Sequence, residues 1–443
     1  MQTSFARRRA VVAGAPLTRD CAKHGAHEDP IGHRARELSA EAVHPPADMG
    51  LIPHARPDTF RVAMPYFDHN ATTPLSAPAR AAWLRAQDDA WQNPASPHRA
   101  GARVKALFER ERSRLAEILR CPEDTLVFTS GATEGANAAF AHLAAHGAPA
   151  ARVFINPTEH ACVRAAAARW FPGRVEMLSL DRTGVVAIDE LDQVLRGGVG
   201  AVAAVMAANN ETGVIQPIPA IAAVCAQRGV PLFCDAVQWL GKRPAAGLAG
   251  ADFLLGAGHK FGGPKGVGLL RLPGGAPGRD FNFITGGGQQ SGRRAGTEDY
   301  PAVAALVTAL GEAETAVVND AGQRVRWREA FEQGLLAALP GTEIVGRGAE
   351  RLWNTVMAVL PCGANHRWVT KLDKRGFAVG TSAACTAAQG GASHVLAALG
   401  VPAVAAQRAV RFSSGWATTE ADWSALLAAV IAVRNEIAAT ELA

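Results

Sequence analysis

The sequence lacks three features that would place a chain in a special class of protein. No apolar run reaches the roughly 18 residues that a membrane-spanning helix needs. The seven cysteines are odd in number and form no CxxC pair, which argues against a disulfide framework and a structural zinc site. The formal net charge of +5 is spread along the chain and does not specifically favour nucleic-acid binding. We therefore expect a soluble, cytoplasmic protein with no membrane partner and no intrinsic metal site.

Length and composition predict a large folded core. The chain has 443 residues, of which 48% are hydrophobic and 19% are charged, enough for about two or three domains. Residues 1–63 differ from the rest, because they mix Arg7–Arg9 with acidic residues and prolines and show no periodicity. Acidic residues such as Asp20 and Glu28 are unfavourable in a mitochondrial presequence, and no clean apolar stretch supports a secretory signal. We predict a disordered extension, or a start assigned too early with Met64 as the true initiator.

From residue 125 onward, apolar strand-like runs alternate with helical patterns. The predicted strands cover residues 125–129, 152–155, 201–206, 230–234, 252–255 and 267–271, with helices such as 217–228 between them. This alternation predicts an α/β fold with a mostly parallel sheet and helices on both faces. After residue 297 we predict two long helices, 302–317 and 323–339, and then a smaller α+β domain with a strand at 354–360 and a closing helix from Glu420.

Lys260 stands where a predicted apolar strand gives way to a glycine-rich turn, residues 261–266 (FGGPKG). A lysine held at such a point can be desolvated, which favours the neutral amine that condenses with an aldehyde. Most lysines in turns are solvated, so this interpretation needs support from other segments.

A second segment, residues 125–137, reads as a strand, a turn at Gly131 and the start of a helix. The free backbone N–H groups and the dipole of a helix N-terminus suit a phosphate, and the Thr133 hydroxyl adds a donor. The alternative is an ordinary helix start capped by the side chain of Ser130 or Thr133.

Two further polar residues follow apolar strands. Asp235 ends the strand at 230–234 and could pair with a protonated pyridine nitrogen, although an aspartate there could equally cap a helix. His160 follows the strand at 152–155, where a lone histidine is more often structural than catalytic.

These four groups all lie at the ends of predicted strands. Parallel α/β sheets bind ligands at the carboxyl ends of their strands, so we expect the groups to converge on one crevice. A ligand with a phosphate, a basic ring nitrogen and an aldehyde matches them. Pyridoxal 5'-phosphate has all three.

Eight blocks of sequence resemble the signature motifs of cysteine desulfurases, in the class V aminotransferase family. The match as a whole runs from about Tyr66 to the C-terminus. The blocks follow the family order and are 68–74 (DHNATTP), 93–96 (NPAS), 129–134 (TSGATE), 158–160 (TEH), 209–213 (NNETG), 235–238 (DAVQ), 258–260 (GHK) and 293–298 (RRAGTE). The resemblance implies the fold type I of pyridoxal-phosphate-dependent transferases, with a seven-stranded type of sheet. It also implies a cofactor-binding domain at 81–318, a small domain at 319–443 and an N-terminal segment at 64–80 that packs on the small domain.

The resemblance assigns a role to each matching residue. Lys260 would condense with the cofactor aldehyde, Asp235 would pair with the pyridine nitrogen, and His160 would lie over the ring and assist proton transfer. Gln238 and Asn210 would contact the ring hydroxyl. The phosphate would be held by Ala132, Thr133, His259 and the Thr297 of a second subunit. Asn210 and Arg411 would bind the substrate carboxylate. The guanidinium fork of Arg411 suits that last task.

Cys385 is the residue that would separate a desulfurase from its aminotransferase relatives. It lies among small residues and glycine in 380–391 (GTSAACTAAQGG), a composition that predicts a mobile surface loop. A cysteine chosen at random is more often an inert buried side chain, but here composition and family position agree. Cys385 would attack the sulfur of L-cysteine, leaving alanine and a persulfide.

The resemblance also implies partners. The protein would be a homodimer, and an acceptor such as an iron-sulfur scaffold protein would take the labile persulfide sulfur. Cys385 could then transiently ligate an iron-sulfur cluster. Other open activities are a selenocysteine lyase, another class V aminotransferase, or a partner-binding scaffold of reduced activity.

Four features depart from the family pattern, and one of them is the stretch 381–385 (TSAAC), which replaces the usual SSGSAC pattern. Ala257 stands where relatives carry a polar donor, so one phosphate contact is missing or supplied elsewhere. Trp353 replaces a common proline, and Trp416 stands where a smaller or basic residue is frequent. None of these departures removes a chemical group that the reaction needs.

Overall fold

The computed structural model describes residues 65–196, 200–275, 278, 280–381 and 393–442. The predicted extension at 1–63 and Cys385 lie outside the described residues.

A seven-stranded sheet forms the centre of the larger part of the protein, in the order β2-β8-β7-β6-β5-β3-β4. Strand β8 is antiparallel to both of its neighbours, and the other strand pairs are parallel. The strands are β2 (Leu126–Thr129), β3 (Arg152–Ile155), β4 (Val175–Met177), β5 (Gly200–Ala204), β6 (Leu232–Asp235), β7 (Phe253–Ala257) and β8 (Gly268–Arg271). The predicted mostly parallel sheet is therefore confirmed. Strand β4 was not predicted, because it is short, only partly buried and carries a central glutamate.

Helices cover both faces of this sheet, as the alternation of patterns predicted. They are α1 (Ala77–Asp89), α2 (Arg99–Leu119), α3 (Ala132–His146), α4 (Ala161–Trp170), α5 (Ile188–Arg196) and α6 (Ile218–Arg228). Successive residues of a strand point to opposite faces. Accordingly, Phe128 packs with Phe108 of α2 in one apolar core, and Val127 packs with Phe140 of α3 in another.

The helix α7 (Tyr300–Ala338) corrects the prediction of two separate helices at 302–317 and 323–339. A glycine inside a helix, here Gly322, costs only about 1 kcal/mol relative to alanine. Both flanks are well packed, since Leu306 lies in the core of the large sheet and Phe331 in the core of the small one. Continuing the helix therefore costs less than breaking it. The predicted domain boundary at 318–319 falls inside α7, and the domain division stays a prediction.

Among the described helices, only α7 is long and apolar enough to cross a membrane. However, 61% of its apolar 18-residue segment is buried inside the protein. A buried core helix passes the same test, so this feature is weak support for a membrane span.

A five-stranded sheet forms the smaller part, in the order β1-β11-β12-β10-β9. Its strands are β1 (Tyr66–Phe67), β9 (Glu343–Ile344), β10 (Thr355–Val359), β11 (Ala378–Thr381) and β12 (Ala409–Ser413). The helices that accompany it are α8 (Asn365–Asp373), α9 (His394–Ala398), α10 (Ala403–Ala406) and α11 (Glu420–Leu442). Strand β1 pairs in parallel with β11, which brings the N-terminal end of the described chain into the small sheet.

We expect Phe67→Ala to lower the free energy of unfolding by about 3–5 kcal/mol, the usual cost of removing a buried aromatic ring. Phe67 is fully buried, and its ring centroid lies 4.8 Å from that of Trp423. Denaturant unfolding measures the change. Trp91→Ala is the control, because Trp91 is 69% exposed and its loss should change the free energy of unfolding by about 0.5 kcal/mol or less. Equal losses for the two variants would contradict the packing described here.

Candidate active site

A cavity of about 550 Å³ opens at the carboxyl ends of the central strands. It is lined by the nine residues to which the family resemblance assigned a role within one chain and which the structure describes: Ala132, Thr133, His160, Asn210, Asp235, Gln238, His259, Lys260 and Arg411. The predicted convergence on one crevice is thus what the structure shows. Thr297 is exposed and does not line the cavity of its own chain. Cys385 lies outside the described residues.

The turn after β2 forms one end of the cavity. Gly131 is the N-cap of α3 and makes no side-chain capping bond, so the alternative of a cap by Ser130 or Thr133 is wrong. Instead, the carboxylate of Glu134 accepts a hydrogen bond from the Ser130 N–H at 2.9 Å and holds Arg294 at 3.0 Å. The start of α3 is therefore open toward the cavity and suits an anion.

Lys260 lies in a short 3-10 helix (Gly258–Lys260) directly after β7. Its ammonium nitrogen donates to the backbone oxygens of Asn70 at 2.7 Å and Ala71 at 2.8 Å. The neighbouring His259 contacts the Thr72 hydroxyl at 3.1 Å, and its backbone oxygen accepts the Thr73 N–H at 2.9 Å. Residues 70–73 therefore form a wall of the cavity beside the lysine.

Asp235 is buried at the end of β6. Burial raises the pKa of its carboxyl to about 6, although the Val237 N–H and the charge of Lys260 act in the opposite direction. The carboxylate accepts the Val237 N–H at 2.9 Å within a turn that no helix follows, so the helix-capping alternative is not what the structure shows. A cation or a protonated ring nitrogen in the cavity would stabilise the charged form.

His160 makes a structural contact and also faces the cavity, and its catalytic role stays a prediction. It caps α4, because its Nδ1 accepts the Cys162 N–H at 3.2 Å, and it also lines the cavity. Burial and the charge of Lys260 lower the pKa of the imidazole. A neutral imidazole that accepts at Nδ1 carries its proton on Nε2, where it can be donated or exchanged.

Arg411 reaches the cavity from β12 of the small sheet. Its guanidinium donates to the Asn210 backbone oxygen at 2.9 Å and to the Asp68 carboxylate at 2.7 Å. Its buried Nε has no partner among the described protein atoms. Asp68 was not predicted to have a role, although it begins the block at 68–74. It orients the guanidinium, which retains donors for a carboxylate ligand.

Three other cavity residues were missed by the sequence analysis. The Cys162 thiol lies 3.0 Å from the His160 Nδ1, and burial raises its pKa to about 12. His394 contacts the Glu159 backbone oxygen at 2.9 Å. The Glu211 carboxylate accepts the Ser393 hydroxyl at 2.6 Å. Only Glu211 carried a signal, since it lies within the block at 209–213.

Three of the four departures from the family pattern have clear structural counterparts. Ala257 is buried and lines the cavity, so no side-chain donor is present at that position. The rings of Trp353 and Trp416 pack against each other with centroids 4.4 Å apart. The Arg324 guanidinium lies 5.5 Å and 5.1 Å from those two centroids, a cation–π arrangement.

The fold and the cavity define a class of enzyme. Its cavity holds a lysine and an aspartate at the carboxyl ends of strands in a mostly parallel sheet. The aminotransferase class-V profile matches residues 65–426, and the chain belongs to this family.

Within the family, the similar proteins are cysteine desulfurases. The chain is 35% identical to cysteine desulfurase 2 of Trichormus variabilis over 81% of this chain and 89% of that protein. It is 36% identical to a cysteine desulfurase of Cereibacter sphaeroides over 82% of this chain and 93% of that protein. A solved NifS-like protein superposes with a TM-score of 0.77 at 28% identity, over 84% of this chain and 99% of that one. The resemblance stated from the motifs, and the fold that it implied, are confirmed.

We predict that stability of the ligand-free protein falls as pH rises through the range in which Glu211 ionises. Burial raises the pKa of Glu211 from 4.5 to about 7. The folded state therefore binds this proton more tightly than the unfolded state, and ionisation between these values destabilises the fold by up to about 3 kcal/mol. Glu211→Gln should remove this part of the pH dependence between pH 5 and pH 8.

Chemical unfolding at several pH values measures this effect. Glu117→Gln is the matched control, because Glu117 is exposed on α2. The control should keep the pH dependence of the unmodified protein. If Glu211→Gln also keeps the same pH dependence of the free energy of unfolding, Glu211 does not ionise as its burial requires.

Proposed function

We propose that this protein removes sulfur from L-cysteine with pyridoxal 5'-phosphate as cofactor, giving L-alanine and a persulfide on Cys385. The observation that supports the proposal most directly is the convergence of Lys260, Asp235 and the open start of α3 on one cavity. These groups match an aldehyde, a ring nitrogen and a phosphate. The cysteine desulfurase names of the relatives support the same substrate.

The residues present fit the cofactor. Ala132, Thr133 and His259 would hold the phosphate, and Lys265 at the cavity edge adds a positive charge. Asp235, the one carboxylate of β6, would pair with the ring nitrogen, whose positive charge would offset the cost of burying the aspartate. When bound, pyridoxal phosphate supplies an electron sink for the bonds that change at the substrate carbons.

The protein side chains then have distinct tasks. Arg411, oriented by Asp68, would bind the substrate carboxylate together with Asn210. Lys260 would carry the substrate α-proton, and His160 would exchange a proton at Nε2. The Cys385 thiolate would attack the substrate sulfur: a sulfur–sulfur bond forms, the carbon–sulfur bond breaks, and the carbon keeps the electron pair and takes up a proton.

The proposal extends to the assembly and the setting. A second copy of the chain would bring Thr297 to the phosphate, since Thr297 is exposed and lies away from its own cavity. A sulfur acceptor, such as an iron-sulfur scaffold protein, would take the persulfide sulfur, and Cys385 could transiently ligate a cluster. A cytoplasmic setting would suit such thiol chemistry, because thiols stay reduced there.

We expect the purified protein to be yellow and to bind pyridoxal phosphate through Lys260. Borohydride reduction should fix the cofactor to the peptide that contains this lysine, as mass spectrometry can show. Lys260→Ala should lose the reducible attachment. A protein that stays colourless after incubation with the cofactor would favour the scaffold alternative, and reducible attachment in the variant would contradict the assignment of Lys260.

We expect Cys385→Ala to retain cofactor binding, because Lys260, Asp235 and Arg411 are unchanged. Release of alanine and sulfide from L-cysteine should fall by far more than about tenfold, since the nucleophile is lost. Cys362→Ala is the matched control, because Cys362 is a half-buried thiol that does not line the cavity.

Alkylation after exposure to L-cysteine, followed by peptide mass mapping, should find the extra sulfur on Cys385 and not on the cavity thiol of Cys162. Undiminished desulfuration by Cys385→Ala would refute the mechanism. Activity of the variant toward L-selenocysteine alone would indicate a selenocysteine lyase.

A further inference from the structure

Lys242 is a buried cation that the proposed chemistry does not use. It is 4% exposed, and its Nζ donates to the Gln238 side-chain oxygen at 2.9 Å. A longer contact of 3.4 Å joins the same nitrogen to the Gln238 backbone oxygen. Gln238 lines the cavity, so Lys242 lies directly behind one of its walls.

The electrostatic surroundings of Lys242 are unfavourable for a cation. Burial, together with the charges of Lys260 and Arg411, lowers the pKa of its amine to about 7. Burying a positive charge without a carboxylate partner costs free energy. Residues that are unfavourable for stability in this way are expected mainly at functional sites. Both oxygens that the amine contacts are acceptors, so it donates to them whether it is charged or neutral.

The backbone around Lys242 is held in place from the small sheet. Trp353 donates its indole N–H to the Lys242 backbone oxygen at 3.0 Å, and Trp416 donates to the Gly241 backbone oxygen at 3.0 Å. Gly241 has a φ of +73°, and a Cβ there would lie 2.4 Å from the Cβ of Phe261. Lys242 therefore has little freedom to move away from Gln238.

Contact with Lys242 determines which end of the Gln238 amide faces the cavity. The amide oxygen accepts from Lys242, and the amide nitrogen donates one N–H to the Asn70 backbone oxygen at 3.0 Å. The second N–H is left for the cavity. If the amide turned over, its nitrogen would face the lysine, donor against donor.

We propose that Lys242 is a positioning residue, which holds the Gln238 amide with its N–H toward the cavity so that it donates to the ring oxygen of the cofactor. The inference rests on the proposed function, because that oxygen belongs to pyridoxal phosphate. Lys242 does not touch the reacting atoms, and it acts through Gln238.

A double-mutant cycle tests this inference on the full-length protein. Lys242→Met should weaken the affinity of the apoprotein for pyridoxal phosphate about tenfold, because a donor to a charged oxygen is lost. Fluorescence titration measures the affinity. The pH midpoint of the visible absorption band of the bound cofactor should rise by about one pH unit, since the anionic ring oxygen is less well stabilised. Gln238→Ala should cause the same two changes.

The decisive result is the double variant. Lys242→Met should add less than about twofold to the affinity loss of Gln238→Ala, because the lysine acts through that side chain. If the affinity losses of the two single variants multiply in the double variant, Lys242 acts independently of Gln238. That result would overturn the inference. An unchanged pH midpoint in Lys242→Met would overturn it as well.

Two further variants complete the test, one as a matched control and one as a substitute for Lys242→Met. Lys374→Met is the matched control, because Lys374 is exposed in the small part of the protein. If Lys242→Met does not fold, Lys242→Gln is used in the same cycle, because its amide ends one bond short of the lysine nitrogen and remains polar. Failure of the unmodified protein to bind pyridoxal phosphate would refute the proposed function itself, a result distinct from multiplying losses in a protein that binds it.

Discussion

The hydrogen bonding of Asn70 is the interaction on which the arrangement of the cavity depends. This buried residue donates from its side chain to the Asn210 backbone oxygen and the Thr355 hydroxyl, so it contacts both parts of the protein. Its backbone oxygen accepts from Lys260 and from Gln238. A buried amide with one missing partner would cost about 1–3 kcal/mol, so this network allows few alternative positions for the cavity wall.

Positive charge is concentrated around the cavity, because Lys260 and Arg411 line it and lie close enough to the buried Lys242 to lower the pKa of that amine. Such a set favours an anionic ligand, and both a phosphate and a carboxylate would stabilise it. Asp235 and Glu211 are buried with raised pKa values, which means that the ligand-free cavity is electrostatically unfavourable. Binding of a charged ligand should therefore also stabilise the fold.

The two tryptophans that depart from the family pattern illustrate how the small sheet supports the large one. Trp353 and Trp416 lie in the chain close to β10 and β12, yet their indole groups donate to the backbone beside Gln238. Arg324 of α7 covers both rings. A substitution at a residue that is distant in the chain from the cavity residues can thus change the position of a cavity side chain.

Local sequence was sufficient for six of the seven strands of the large sheet, for the polar residues at their ends and for the motifs that identify the family, because apolar periodicity and glycine turns are properties of adjacent residues. It was insufficient for the contacts of Asp68 with Arg411, of Glu211 with Ser393 and of Lys242 with Trp353. These contacts join residues that are distant in the chain, so only the tertiary fold brings them together. The sequence by itself determined which chemical groups are available, whereas the tertiary structure decided their partners, their burial and hence their protonation.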